Sequence, residues 1–176
     1  SQTKRCSEIL KQISKKEIFE DKFFSSIKFE DLLNEIVESF EQTSEKVISL
    51  SSDNDRNKFD IKRSPETIYG LRNFIGNAVK FANENVSISL KSNKDFVTIF
   101  IEDDGPGFPE DIIGILGEPY IRSKHSKVNL KSGTGLGTFL GKTLLERNGA
   151  VIKFTNSKKL GGASVIISWQ IKNLKA

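Results

Sequence analysis

Apolar positions along this chain change period several times, and each change marks an element. Cys6, Ile9, Leu10 and Ile13 recur at i, i+3, i+4 and i+7, which predicts an amphipathic helix over residues 1–14, followed by a polar linker at 15–22. Phe23 to Phe29 reads as a short strand, Asp31 to Phe40 as a helix and Val47 to Leu50 as a strand. Ser51 to Lys58 is predicted as a turn, with Phe59 and Ile61 at the end of an edge-like strand.

Ser64-Pro65-Glu66 is a helix start: a hydroxyl for the cap, Pro where its missing N–H costs nothing, and an acid in the first turn. At about 100° per residue, Ile68, Leu71, Ile75, Ala78, Val79 and Ala82 share one face, predicted buried. Glu66, Tyr69, Gly70, Asn73, Gly76, Asn77 and Lys80 share the opposite face, expected to meet solvent or a ligand. Val86 to Leu90 alternates as a half-buried strand, and Phe96 to Ile101 is nearly continuous, as a central strand would be; Asn93-Lys94 turns one into the other as a hairpin. After a Gly- and Lys-rich stretch, a helix is expected from Leu136 to Arg147, stopped by Asn148-Gly149. Two strands follow, one carrying Ala150, Ile152 and Phe154 on one face, the other alternating through Ala163, Val165, Ile167, Trp169 and Ile171, with Gly161-Gly162 as their turn. This mixture predicts an α/β fold, a two-layer sandwich with helices on one face of a mixed, mainly antiparallel sheet.

The chain has 176 residues, 36% hydrophobic, enough for one domain with a single core. No window approaches the roughly 18 uncharged apolar residues of a membrane span, and SQTKRCSE has no signal-peptide core, so these residues are expected to be soluble. A single Cys suits a reducing cytoplasm. With Ser first and no Met, the chain reads as a segment of a longer one. The formal charge is +4, and the acid-free stretch from Pro119 to Thr138, with Arg122, Lys124, Lys127 and Lys131, equals the whole excess. That argues against a nucleic-acid surface and for one local anion site, although a solvated basic loop has the same composition.

Asp103-Asp104-Gly105-Pro106-Gly107 directly follows the apolar strand. A carboxylate there can accept a hydrogen bond from the exocyclic amine of adenine, where guanine presents a carbonyl instead, and the glycines admit a flat ring; a plain D-G turn is the competing reading. Gly133-Thr134-Gly135-Leu136-Gly137 opens a helix, so its N–H groups and dipole suit phosphate, although the pattern is neither a Walker loop nor a Rossmann turn. Asn73 and Asn77 are one helical turn apart; such a pair is often merely polar, but an amide oxygen also suits a Mg²⁺ that keeps most of its water.

In order, NxxxNAxKF, DDGPGFP, GEPYIRSK and GTGLGT resemble the nucleotide-binding domain shared by sensor histidine kinases, Hsp90, DNA gyrase B and MutL. The resemblance implies the Bergerat ATP fold over 23–176, with ATP and Mg²⁺ as cofactors. It implies Asp103 as the reader of the adenine amine, Asn77 on Mg²⁺, Asn73 and Lys80 near the phosphates, Phe81 lining the base pocket, and Gly105 and Gly107 shaping it. Gly133, Thr134, Gly135, Leu136, Gly137 and Thr138 would meet the phosphates, with a lid over about 108–132 that holds Tyr120 and, for the γ-phosphate, Arg122. Hydrolytic relatives place Glu four residues before the Mg²⁺ Asn; here Asn73 stands there, and an amide cannot take a proton from water, which favours phosphoryl transfer to a protein. A self-contained ATPase, a Ser/Thr anti-sigma-type kinase and a non-catalytic nucleotide-sensing module are the alternatives.

RCSEIL, PETIYGLRNFIGNAVKFA, LGEPYIRSK, KTLLERNGA and GGASVIISW are most similar to the RegB/PrrB class of redox-responsive sensor kinases. That class implies a homodimer, a phosphoacceptor histidine on a separate helical hairpin of which 1–14 would be the end, a response regulator as partner, and a cytoplasmic domain anchored at the inner membrane through segments elsewhere. His125, the only histidine, lacks the acid and Thr/Asn-Pro that follow such an acceptor and is expected to be an exposed lid residue or an accessory phosphate contact. Cys6 is either a small buried residue or a redox-active thiol, beside Lys4 and Arg5, which could lower its pKa.

Overall fold

The computed structural model describes residues 26–53, 59–118 and 136–175. The expected helix at 1–14 with Cys6, the linker at 15–22, and the segment holding Tyr120, Arg122, His125, Gly133, Thr134 and Gly135 lie outside the described residues. In chain order the elements are β1 (Ser26–Lys28), α1 (Phe29–Glu41), β2 (Val47–Ser52), β3 (Asp60–Lys62), α2 (Pro65–Phe81), β4 (Asn85–Ser92) and β5 (Phe96–Asp103). A single turn, α3 (Glu110–Ile113), then α4 (Leu136–Arg147), β6 (Val151–Asn156), β7 (Ala163–Gln170) and a 3₁₀ turn at Ile171–Asn173 complete it.

Five strands form one sheet in the order β2-β4-β5-β7-β6, with β5 at its centre; β1 and β3 make a separate antiparallel pair. β2 runs parallel to β4, and every other pairing in the sheet is antiparallel, so the sheet is mixed and mainly antiparallel. Val86, Ile88 and Leu90 face Asp103, Ile101 and Ile99 across the hairpin. They continue into Val165, Ile167 and Trp169 on β7, all buried on one face of the sheet. Against that face pack α1, through Phe29, Leu32, Leu33, Ile36 and Val37, and α2, through Leu71, Phe74, Ile75, Ala78 and Val79. Trp169 meets the edge of Phe29 with ring centroids 5.7 Å apart. Such burial at about 25 cal/mol per Å² of apolar surface is the main force holding the two layers together.

The predicted helix start is real: Ser64 Oγ accepts from Thr67 N–H at 3.2 Å, and Pro65 stands in the first turn. α4 spans Leu136–Arg147 as expected and ends at Gly149, whose φ of +77° is the left-handed value that terminates a helix. Several details differ from the sequence reading. Phe29, expected at the end of a strand, is the first residue of α1, where its ring is buried against the core. β2 continues through Ser51 and Ser52, which pair with Ser89 and Leu90, because a parallel neighbour supplies ladder partners where composition suggests a turn. Ile171 has left the strand: it begins the 3₁₀ turn, its N–H bound to Asp95 O at 2.8 Å. And the polar side of α2 is not open along its whole length, since Gly70 is buried under α4.

Candidate functional site

Asp103 ends the central strand and is only 3% exposed. Its Oδ1 accepts from Gly105 N–H at 2.8 Å and Ala163 N–H at 3.2 Å, while its backbone oxygen accepts from Gly162 N–H at 3.0 Å. Its second carboxylate oxygen, Oδ2, accepts no hydrogen bond among the described residues, and Asp103 lines a cavity. Burial pushes its carboxyl above the usual value and nearby Asp104 adds to this, while the Gly105 and Ala163 N–H groups pull the other way. A buried carboxylate with one oxygen fixed and the other available can recognise a ligand amine.

The surrounding glycines are a steric necessity. A Cβ on Gly105 would run into Phe81 O, and one on Gly162 into Asp103 itself. Gly107 has φ +76°, and a Cβ there would sit 2.8 Å from Asn156 Oδ1. Asn156 in turn grips the main chain of Phe108 at both ends, accepting from its N–H at 2.7 Å and donating to its carbonyl at 3.0 Å. The Phe108 ring then stands edge-on to Phe154, with centroids 5.9 Å apart.

The cavity holds about 310 Å³ between α2, the β5 end, the 106–118 segment and the start of α4. Its lining is mainly apolar, with Phe108, Ile112, Leu116, Phe154 and Val165, and includes the polar side chains of Asn77, Lys80 and Thr138. Asn77 Nδ2 donates to Thr138 Oγ1 at 3.4 Å, which leaves its Oδ1 without a partner among the described residues. Lys80 Nζ lies 5.3 Å from the Phe81 ring centroid. A mainly apolar cavity whose lining also includes a buried carboxylate, an amide, an ammonium and residues of the first turn of a helix suits a nucleotide.

Of the residues singled out in the sequence, Asn77, Lys80, Phe81, Asp103, Gly107, Gly137 and Thr138 line this one cavity. Gly105 shapes it from behind, and Leu136 starts α4 without lining it. Asn73 does not line it either: its Nδ2 turns back to Tyr69 O at 2.7 Å, and its Oδ1 lies 3.5 Å from where a Cβ on Gly137 would be. Glu118, within the quoted GEPYIRSK stretch, also lines the cavity, while Phe154, Ala163 and Val165 were missed. The alternation of these three on β6 and β7 gave the signal for burial but none for which end of the strand meets a ligand.

The fold and this slot define a nucleotide-binding α/β sandwich. Residues 67–173, more than half of the chain, match the family of histidine kinase-, DNA gyrase B-, and HSP90-like ATPases, and the chain belongs to that family, whose membership implies ATP binding. It is 45% identical over 102 residues to the sensor histidine kinase RegB of Cereibacter sphaeroides, a match that covers 55% of this chain and 22% of RegB. The chain thus spans about a fifth of the length of the curated relatives it matches. Among solved structures it superimposes on the mycobacterial sensor histidine kinase MprB with a TM-score of 0.69 at 16% identity, over 83% of this chain and 97% of that one. Full-length ShkA in complex with AMPPNP gives a TM-score of 0.61 at 22% identity, over 82% of this chain and 30% of that one.

Proposed function

We propose that this chain is the catalytic, ATP-binding part of a two-component sensor histidine kinase, passing the γ-phosphoryl group of ATP to a histidine outside these residues and thence to a response regulator. The observation that carries this reading is Asp103, buried at the base of an apolar slot with one oxygen available, on a scaffold shared with an AMPPNP-binding kinase. Asp103 Oδ2 accepts from the adenine amine, and Phe108, Phe154 and Val165 exclude water from the ring. The phosphates then lie toward Lys80 and the first turn of α4, where an ammonium and the helix's N-terminal N–H groups balance their charge. Arg122, Tyr120 and the glycines from Gly133 to Gly135 are assigned to the same end.

The residues also fit Mg²⁺. Asn77 offers one neutral amide oxygen with no partner among the described residues, which suits an ion that keeps most of its waters and takes phosphate oxygens. Held there, Mg²⁺ would neutralise charge on the transferred group. In the transfer, a bond forms between the acceptor imidazole nitrogen and the γ-phosphorus as the bond to the β–γ bridging oxygen breaks; ADP departs with that electron pair and the imidazole releases its proton. Asn73 in place of a carboxylate leaves water without a base on α2, so the phosphoryl group is kept for the protein acceptor. Homodimerisation and a membrane anchor belong to the same proposal, through segments outside this chain.

Calorimetric titration with a non-hydrolysable ATP analogue, with and without Mg²⁺ and against its GTP counterpart, tests the reading. Mg²⁺-assisted, adenine-selective binding that falls at least about tenfold in Asp103→Asn is expected, the worth of one charge-assisted hydrogen bond. Equal binding of both nucleotides would overturn it.

A further inference from the structure

Asp104, which does not line the cavity, is bonded more heavily than Asp103. Its carboxylate collects three consecutive backbone N–H groups: Asn83 on Oδ1 at 2.8 Å, Glu84 on Oδ1 at 3.0 Å and Asn85 on Oδ2 at 3.0 Å. Asn85 Nδ2 adds a fourth donor on Oδ2 at 3.0 Å. The main chain closes the same joint: Asn83 Nδ2 donates to Asp104 O at 2.6 Å, and Asp104 N–H to Asn85 O at 3.2 Å. Residues 83–85 carry the chain from Ala82, which caps α2 after Lys80 and Phe81, into Asn85, the first residue of β4. Asp104 therefore ties the end of the Asn-bearing helix to the residue next to Asp103.

The joint has no slack. Gly105 lies so close to Phe81 O that a Cβ could not enter, and Gly105 N–H is one of the two donors that orient Asp103 Oδ1. A shift of the 83–85 connection would move the Phe81 carbonyl, then Gly105, then the carboxylate that faces the base. The same shift would change the span from Asp103 to Asn77 and Lys80 on α2, the two ends a nucleotide must bridge.

We infer that Asp104 is a positioning residue for adenine selection, acting through Asp103 by holding the 83–85 connection in register with the end of β5. The inference rests on the proposed function, since it presumes that the slot takes ATP. Desolvation at Asp104 acts upward, but the N–H groups of Asn85, Glu84 and Asn83 and the Asn85 amide outweigh it and hold its carboxyl down to about 2, so the tie is fully ionised at any working pH. Neither a substrate contact nor a proton transfer is assigned to it.

The test uses the 176-residue chain, wild type, Asp104→Ala, Asp103→Asn and the double variant, titrated with the non-hydrolysable ATP and GTP analogues. Asp104→Ala is expected to weaken the ATP analogue about tenfold, as for the loss of charge-assisted hydrogen bonds. The ATP-over-GTP preference should shrink by a similar factor, which a loss of stability alone would not do among folded molecules. In the Asp103→Asn background the same substitution should cost less than about twofold, because the two residues act on one interaction. Additive losses, or an unchanged preference for ATP, would overturn the positioning role. If Asp104→Ala does not fold, Asp104→Asn carries the same comparison: it keeps one acceptor oxygen and turns an amide N–H₂ toward Asn85 N–H, so a smaller loss with the same narrowing is expected. Absence of nucleotide binding by the wild type would remove the ATP reading itself, and this role with it.

Discussion

Replacing Asp103 with Asn separates what this residue does for the ligand from what it costs the fold. Its folded pKa is raised, first by burial, so its favourable contribution is complete below the unfolded value of 3.8 and is lost as pH rises through the folded value. At neutral pH the ligand-free protein therefore carries a penalty for keeping this carboxylate ionised. An Asn oxygen can still accept from Gly105 and Ala163, so Asp103→Asn is expected to raise the melting temperature of the ligand-free chain in calorimetry while it weakens ATP; a lower melting temperature would contradict this balance. Asp104 has the opposite sign. Its pKa of about 2 means its contribution is present above about pH 4 and fades as pH falls toward 2, so the stability gap between wild type and Asp104→Asn should be flat from pH 7 to 5 and narrow below pH 4 in urea titrations. Asn156 is a third case: Asn156→Ala removes both bonds to the Phe108 main chain, and amide exchange at Phe108 is expected to speed up at least about tenfold.

At the scale of elements, α2 and α4 cross closely, and the crossing explains both what the sequence showed and what it hid. Gly70, read as part of an open polar face, is instead where α4 lies down: a Cβ there would meet Leu145 Cγ and Cδ2 at 2.5 Å. Gly141 answers from the other helix, with Asn73 Cβ and Phe74 each 3.1 Å from its virtual Cβ. Asn148 closes the far end, donating to Thr67 Oγ1 at 2.7 Å and Ser64 Oγ at 3.1 Å. Gly70→Ala is accordingly expected to lose about 1–3 kcal/mol to overpacking, beyond the roughly 1 kcal/mol that Ala gains over Gly in a helix. Gly76→Ala faces only the Phe40 ring edge at 3.3 Å and should keep part of that helix gain, up to about 1 kcal/mol, so denaturant midpoints of the two variants moving in opposite directions isolate the crossing. The cap at Ser64, the 86–101 hairpin, the stop at Gly149 and Asp103 at a strand end were legible because each is written in neighbouring residues. The parallel β2–β4 pairing, the Gly70–Leu145 contact and the grip of Asn156 on Phe108, 48 residues apart, were not, because helical periodicity and turn composition carry no record of long-range partners.

At the scale of the whole molecule, the family implies ATP binding but the chain carries only one histidine, His125, set between Lys124 and Ser126 without the acid and Pro of an acceptor helix. On the proposed reading, Asn73 stands where hydrolytic relatives carry the water-activating carboxylate, so the proposal expects neither efficient hydrolysis nor self-transfer. Incubated alone with Mg²⁺ and γ-labelled ATP, the chain is expected to form no stable phosphohistidine and to release phosphate slowly. Mixed with a separately produced two-helix acceptor domain from the same protein, it should transfer acid-labile phosphate to that domain. Asn77→Ala should reduce this transfer by about tenfold or more if its amide oxygen holds the metal, and chelation of Mg²⁺ with EDTA should reduce the wild type likewise. Label on His125, tested with His125→Gln, would show that the acceptor lies within the chain. Brisk phosphate release that persists in Asn73→Ala with no transfer would instead make this a nucleotide hydrolase whose base lies outside α2.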